Sequence, residues 1–146
     1  EQLDLLIPTD YRCGIGIGTI NTKFSLNTLE MDGKAFHYSR DAVEYAKEND
    51  YHIYIQSENK AFDDIINSLL LLVDTLKSHL TARQKEIILL KRKNLTLQEI
   101  GNEKKISKQA VFNILSSANW KQLSIAINTL NEQVVNVMKI FEEKNL

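Results

Sequence analysis

The chain has 146 residues, 43% of them hydrophobic and 25% charged, with a formal net charge of −1, enough to bury a core in one ordinary domain or two small ones. A single cysteine, Cys13, excludes a disulfide framework and a thiol pair for zinc or redox work. The longest apolar run, 69–73, is far too short to cross a bilayer and no secretory leader is legible, so the expected location is the cytoplasm, away from membranes.

Residues 1–10, EQLDLLIPTD, read as the end of a helix stopped by Pro8, and a chain that opens inside an apolar segment is expected to lack upstream sequence. In YRCGIGIGTI, residues 11–20, Tyr11, Cys13, Ile15 and Ile17 alternate with Arg12, Gly14, Gly16 and Gly18, which is the period of a strand. Cys13 is read as a buried thiol within it. Three glycines on one face leave nothing to pack there, so a helix or another backbone must come close. Their Gly-x-Gly-x-Gly spacing inside a strand differs from the phosphate-cradling fingerprint, which needs a strand-to-helix turn.

Residues 21–33 read as a loop. Over Lys34–Glu48, Ala35, Tyr38, Ser39, Ala42, Val43 and Ala46 recur at helical spacing, and small residues let this helix lie close to the glycine face. Asn49-Asp50 ends it, and Tyr51–Gln56 alternates as a second strand. Strand, crossover helix and strand predict a right-handed βαβ unit with parallel pairing.

Ser57 is placed to cap the next helix, Ala61–Leu80, whose apolar stripe is Phe62, Ile65, Leu69, Leu72, Leu76 and Leu80, widened by Ile66, Leu70 and Val73. Thr81 and Gln84 form a capping box that opens a helix from Ala82 to about Lys93, with Ile87, Ile88 and Leu90 inward. Thr96 and Glu99 form a second box over Leu97–Lys104, and Ser107 caps a helix from Lys108 to about Ser117. The turn between these two is so short that they must cross steeply. Gly101 marks their close approach, and Ile100, Ile106, Val111, Ile114 and Leu115 supply the core that fixes the angle. This is the pattern of a helix-turn-helix unit preceded by a support helix. Beyond Asn119, the residues Trp120, Leu123, Ile127, Leu130, Val134, Val137 and Phe141 recur three and four apart as a heptad seam, with Ile125, Met138 and Ile140 beside it. The seam has two readings: it packs back on 61–80, or it pairs with the same helix of a second subunit. Avidity for a palindromic site favours the homodimer.

Charge is unevenly placed. Residues 1–80 carry 7 basic and 13 acidic side chains, residues 81–121 carry 9 and 3, and residues 122–146 carry 2 and 3. The positive field is thus confined to the helix-turn-helix stretch, as phosphate binding requires. His37, His52 and His79 lie in three different elements without companions at ligand spacing, so no metal, no cofactor and no enzymatic activity is expected.

GIGIGTI at 14–20, followed by Asp32-Gly33-Lys34-Ala35-Phe36-His37-Tyr38-Ser39-Arg40-Asp41-Ala42, resembles the bacterial SatD-like proteins, which join such a segment to a C-terminal helix-turn-helix. The resemblance covers about residues 11–121 and implies members that are longer at the N-terminus. More remotely, the segment is similar to the second half of class III nucleotidyl cyclase domains. There Arg40 matches a family arginine, while Phe36 stands where an asparagine belongs and the metal-binding aspartate strand has no counterpart. Catalysis is therefore not implied, and Arg40 is left as the residue that would touch the phosphate of a sensed nucleotide.

Leu-Thr-x-Arg-Gln-x-Glu-Ile-x-x-Leu at 80–90, Thr-x-x-Glu-Ile-Gly at 96–101 and Ile-Ser-x-x-Ala-Val at 106–111 resemble the DNA readers of the LuxR and sigma-factor region 4 type. The resemblance puts the helix after Ser107 in the major groove. With Val111, Ile114 and Leu115 inward, the base-contacting candidates are Ser107, Lys108, Gln109, Phe112 and Asn113. Gln109 and Asn113 suit adenine, Lys108 a guanine or phosphate, and Ser107 a phosphate at the helix start. Phe112 has two readings, a thymine methyl contact or an extension of the core, and the core is favoured. Arg83, Thr96, Lys104 and Lys105 are the phosphate candidates. Lys105 stands where the turn usually has glycine, so it must adopt a left-handed or otherwise costly conformation.

The expected fold is α+β and mainly α, a partial α/β segment over residues 1–58 followed over 59–146 by a helix-turn-helix domain with long flanking helices. The expected function is a dimeric, sequence-specific transcription regulator that binds double-stranded DNA. The alternatives are a protein-interaction module or a non-catalytic nucleotide sensor.

Overall fold

The glycine face dictates how the first helix packs on the strands. The computed structural model describes residues 11–20 and 33–144, with side chains to residue 140, so the expectations for 1–10, for most of the 21–33 loop and for the Phe141 side chain lie outside the described residues. Strand β1 (Cys13–Gly16), helix α1 (Lys34–Glu48) and strand β2 (Ile53–Gln56) follow one another, and the strands pair in parallel from Cys13↔Ile53 to Gly16↔Gln56. A Cβ on Gly14 would stand 2.4 Å from the Val43 backbone nitrogen, and one on Gly16 would stand 2.0 Å from the Ala35 carbonyl oxygen. Backbone cannot yield at such distances, so only glycine admits α1 here. Ala42 and Ala46 answer from the helix side and are fully buried. The strand is shorter than the alternation at 11–20 predicts, and Cys13 is half-buried rather than buried. Asn49 closes α1 with its backbone and side-chain N–H groups on the Tyr45 carbonyl, and Asp50 takes a left-handed turn at φ 60°.

Helix α2 (Lys60–Ser78) departs from its apolar stripe. Ile65 is 70% and Leu72 62% exposed, while Asp63, Ile66, Asn67 and Val73 are buried. The cause lies in the strand beside it. The Cys13 N–H donates to the His52 carbonyl and the Ile17 N–H to the Gln56 carbonyl, so the backbone groups of even-numbered residues point at β1, and alternation turns the N–H and C=O of Ile55 to the outer edge. There the Asn67 amide accepts from the Ile55 N–H at 2.8 Å and donates to the Ile55 carbonyl at 2.7 Å. The Asp63 carboxylate accepts from the Ser57 N–H at 2.9 Å and from the Ser57 hydroxyl at 2.7 Å. A buried backbone group left unpaired costs about 1–3 kcal/mol, so satisfying this edge decides which face of α2 turns inward. Ser57 therefore does not cap α2. Asn59 does, accepting from the Phe62 N–H at 3.1 Å, while the Ser57 hydroxyl accepts from the Asn59 N–H.

The chain divides into two compact units, Glu1–Leu71 with Leu130–Leu146, and Leu72–Thr129. The second unit contains α3 (Ala82–Arg92), α4 (Leu97–Lys104), α5 (Lys108–Ser117) and the start of α6 (Trp120–Lys144). Its core is Ile87, Ile88, Leu90, Ile100, Val111, Leu115, Ala118 and Leu123. Each connection contains one residue in the left-handed region: Asn94, Lys105 and Asn119, with φ between 52° and 63°. Asparagine tolerates that conformation through local hydrogen bonding, whereas lysine does not.

The heptad seam of α6 is not a free surface. Leu123 is 2% and Leu130 7% exposed within the single chain, and Trp120, Ile127, Val134 and Val137 are half-buried. Leu123 and Leu130 are therefore corrected from dimer contacts to core residues. Two parallel strands and six helices among the described residues make the fold α+β and mainly α.

Candidate nucleic-acid interface

Local chemistry sets the two central helices. Thr96 accepts from the Glu99 N–H at 3.2 Å, and the Glu99 carboxylate returns to the Thr96 N–H at 2.7 Å and to its hydroxyl at 2.8 Å. Those bonds, the backbone one first, hold the Glu99 carboxyl below the usual range. The Thr96 hydroxyl, a phosphate candidate, is thus already engaged in the cap. Gly101 lies against the turn, where an added Cβ would meet the Ile106 carbonyl oxygen at 2.7 Å, and the Ile106 N–H donates to Gly101 at 2.9 Å. Lys105 closes α4 in the left-handed region at φ 54° and ψ 43°, as its place in the turn predicts. Ser107 then caps α5 by accepting from the Ala110 N–H at 3.1 Å.

Val111 and Leu115 fix α5 from its buried side, which leaves Ser107, Lys108, Gln109, Phe112 and Asn113 exposed together. The Gln109 side-chain amide donates from Nε2 to the Asn113 side-chain oxygen Oδ1 at 3.0 Å, so the two amides are held as a pair on one face, four residues apart. Phe112 is 53% exposed, which overturns its assignment to the core. It lines an open groove of about 430 Å³ with Leu97, Leu115 and Trp120. Lys91 and Lys121 also line this groove.

Two phosphate candidates are bound to a carboxylate that sequence reasoning passed over. Glu86 on α3 accepts from Arg83 at 2.6 Å and from Lys104 on α4 at 2.7 Å. The hydrogen bond from Lys104, then that from Arg83, lowers the Glu86 carboxyl below its ordinary value, and the same contact raises the Lys104 ammonium. The Arg83–Glu86 spacing of three was visible in the sequence, but the contact across to α4 was not. Gln84, which forms the capping box with Thr81, also donates to the Ser117 hydroxyl at 3.2 Å. Ser117 stands one turn beyond Asn113, so the first turn of α3 borders the end of the exposed α5 face. Lys105 is exposed on the turn. Arg40 is exposed on α1, in the other unit.

Among the described residues no group of three or more His, Cys, Asp or Glu side chains is arranged to hold a metal ion, and no helix is long and apolar enough to cross a membrane. The SatD family model matches residues 2–135, so the chain belongs to the SatD family. No curated protein and no solved structure matches it.

Proposed function

We propose that this SatD-family chain is a cytoplasmic bacterial transcription regulator, non-catalytic and homodimeric, that reads double-stranded DNA with α5. The observation that carries the reading is the grouping of Lys108, Gln109 and Asn113 on the solvent face of a capped helix whose opposite face is anchored by Val111 and Leu115. It falls in the block with 9 basic and 3 acidic side chains. Paired amides match the donor and acceptor of adenine, and lysine matches guanine or phosphate. The dimer surface assigned here is the part of the α6 seam that its own chain covers only partly, Ile127, Val134 and Val137, with the exposed Met138 beside it.

Selection on random duplex should enrich one site, and wild-type binding should weaken steeply with salt. A Lys108→Ala/Gln109→Ala variant should keep its circular dichroism spectrum and lose discrimination between that site and random duplex by roughly tenfold or more. No enriched site with well-folded protein defeats the reading. The exposed Phe112 and its groove favour one second reading, a protein-interaction module, which a DNA-indifferent chain with one stable partner would support.

A further inference from the structure

We infer that Glu86 is a built-in competitor of DNA phosphate, holding Arg83 and Lys104 out of the non-specific contact so that α5 contributes a larger share of binding. The inference rests on the DNA-reading proposal above. Of the three carboxylates in residues 81–121, Glu99 is consumed by the Thr96 cap, Glu103 lies 3.6 Å from Lys104, and Glu86 alone takes two cations at 2.6 and 2.7 Å. Both cations border the proposed interface. Arg83 adjoins Gln84, which is bonded to Ser117 at the end of the α5 face, and Lys104 ends α4 three residues before the Ser107 cap.

A carboxylate and a phosphate present the same anionic oxygens to a guanidinium or ammonium. To meet DNA, Arg83 and Lys104 must exchange one for the other, so the net gain from each contact is small. Glu86 is half-buried and exposed enough for that exchange, so the contact is a competition and not a permanent seal. The consequence is selectivity. Phosphate contacts strengthen every sequence alike, and reducing them raises the relative weight of base contacts.

The test is anisotropy titration of a labelled random-sequence duplex across a salt series, with the full chain. Glu86→Gln should tighten binding by about tenfold at low salt and steepen the log-affinity against log-salt slope by roughly 1–2, as one or two more phosphates are neutralised. Glu103→Gln makes the same charge change and should give a much smaller gain. Lys104→Met should cost little in the wild-type background and most of the gain in the Glu86→Gln background, a non-additivity that a purely structural tie between α3 and α4 would not produce. Circular dichroism checks that each variant is folded. If the wild type binds duplex and Glu86→Gln leaves affinity and slope unchanged, the competitor role is overturned while the DNA-reading proposal stands. If neither protein binds any duplex, the DNA-reading proposal falls and the competitor role with it.

Discussion

Helices α2 and α5 solve the same problem with opposite chemistry. Helix α5 meets other helices, whose backbones are internally bonded, and it buries only apolar residues, Val111 and Leu115. Helix α2 meets the open edge of a two-stranded sheet, and it buries Asp63 and Asn67 while Ile65 and Leu72 stay outside. A helix neighbour demands volume; a strand edge demands donors and acceptors. Which face of a helix turns inward is therefore set by what the neighbour lacks, and apolarity is one answer among two.

The largest effect should come from breaking that contrast at α2. Asn67→Leu keeps the volume and removes both partners of Ile55, so it should cost about 2–6 kcal/mol in urea or thermal unfolding, from two stranded backbone groups. Ile65→Ala, two residues away and apolar, should change stability by less than about 0.5 kcal/mol. If the ranking reversed, the apolar stripe and not the strand edge would be what orients α2. A smaller effect is expected at the α4 cap, where Thr96→Ala removes the acceptor for the Glu99 N–H and should cost about 1 kcal/mol. The smallest sharpens the comparison on the α5 side. Lys105→Gly relieves a left-handed lysine and should raise stability by up to about 1 kcal/mol, visible as a higher thermal midpoint.

The helix-turn-helix stretch is legible in the sequence because its determinants are local. Thr81 with Gln84, Thr96 with Glu99 and Ser107 sit within three residues of the groups they satisfy, and the bounds of α4 and α5 follow from them. The glycine face opposite Ala42 and Ala46 is legible for a related reason, since missing side chains imply a close neighbour. What escapes are contacts whose second partner is remote. Asn67 lies twelve residues from Ile55, Glu86 reaches eighteen residues on to Lys104, and periodicity alone cannot tell whether Leu123 and Leu130 are covered by their own chain. Phe112 shows the same limit in reverse, an apolar residue beside the core positions that the helix rotates into the open.

The Asp63 and Asn67 contacts also work as a vernier. Because Asn67 meets Ile55 and Asp63 meets Ser57, α2 runs antiparallel to β2. Four helical residues advance about 6.0 Å, and two strand residues advance about 6.6 Å. The two rulers therefore come into step at these two points. The chemistry at each point is also keyed. An amide, which both donates and accepts, stands at Ile55, which offers both; a carboxylate, which only accepts, stands at Ser57, which presents two donors. Sliding α2 by one turn would set Asp63 against the Ile55 carbonyl, two acceptors face to face. Side-chain type thus encodes the position of a helix along a strand, as turn geometry encodes register between two strands.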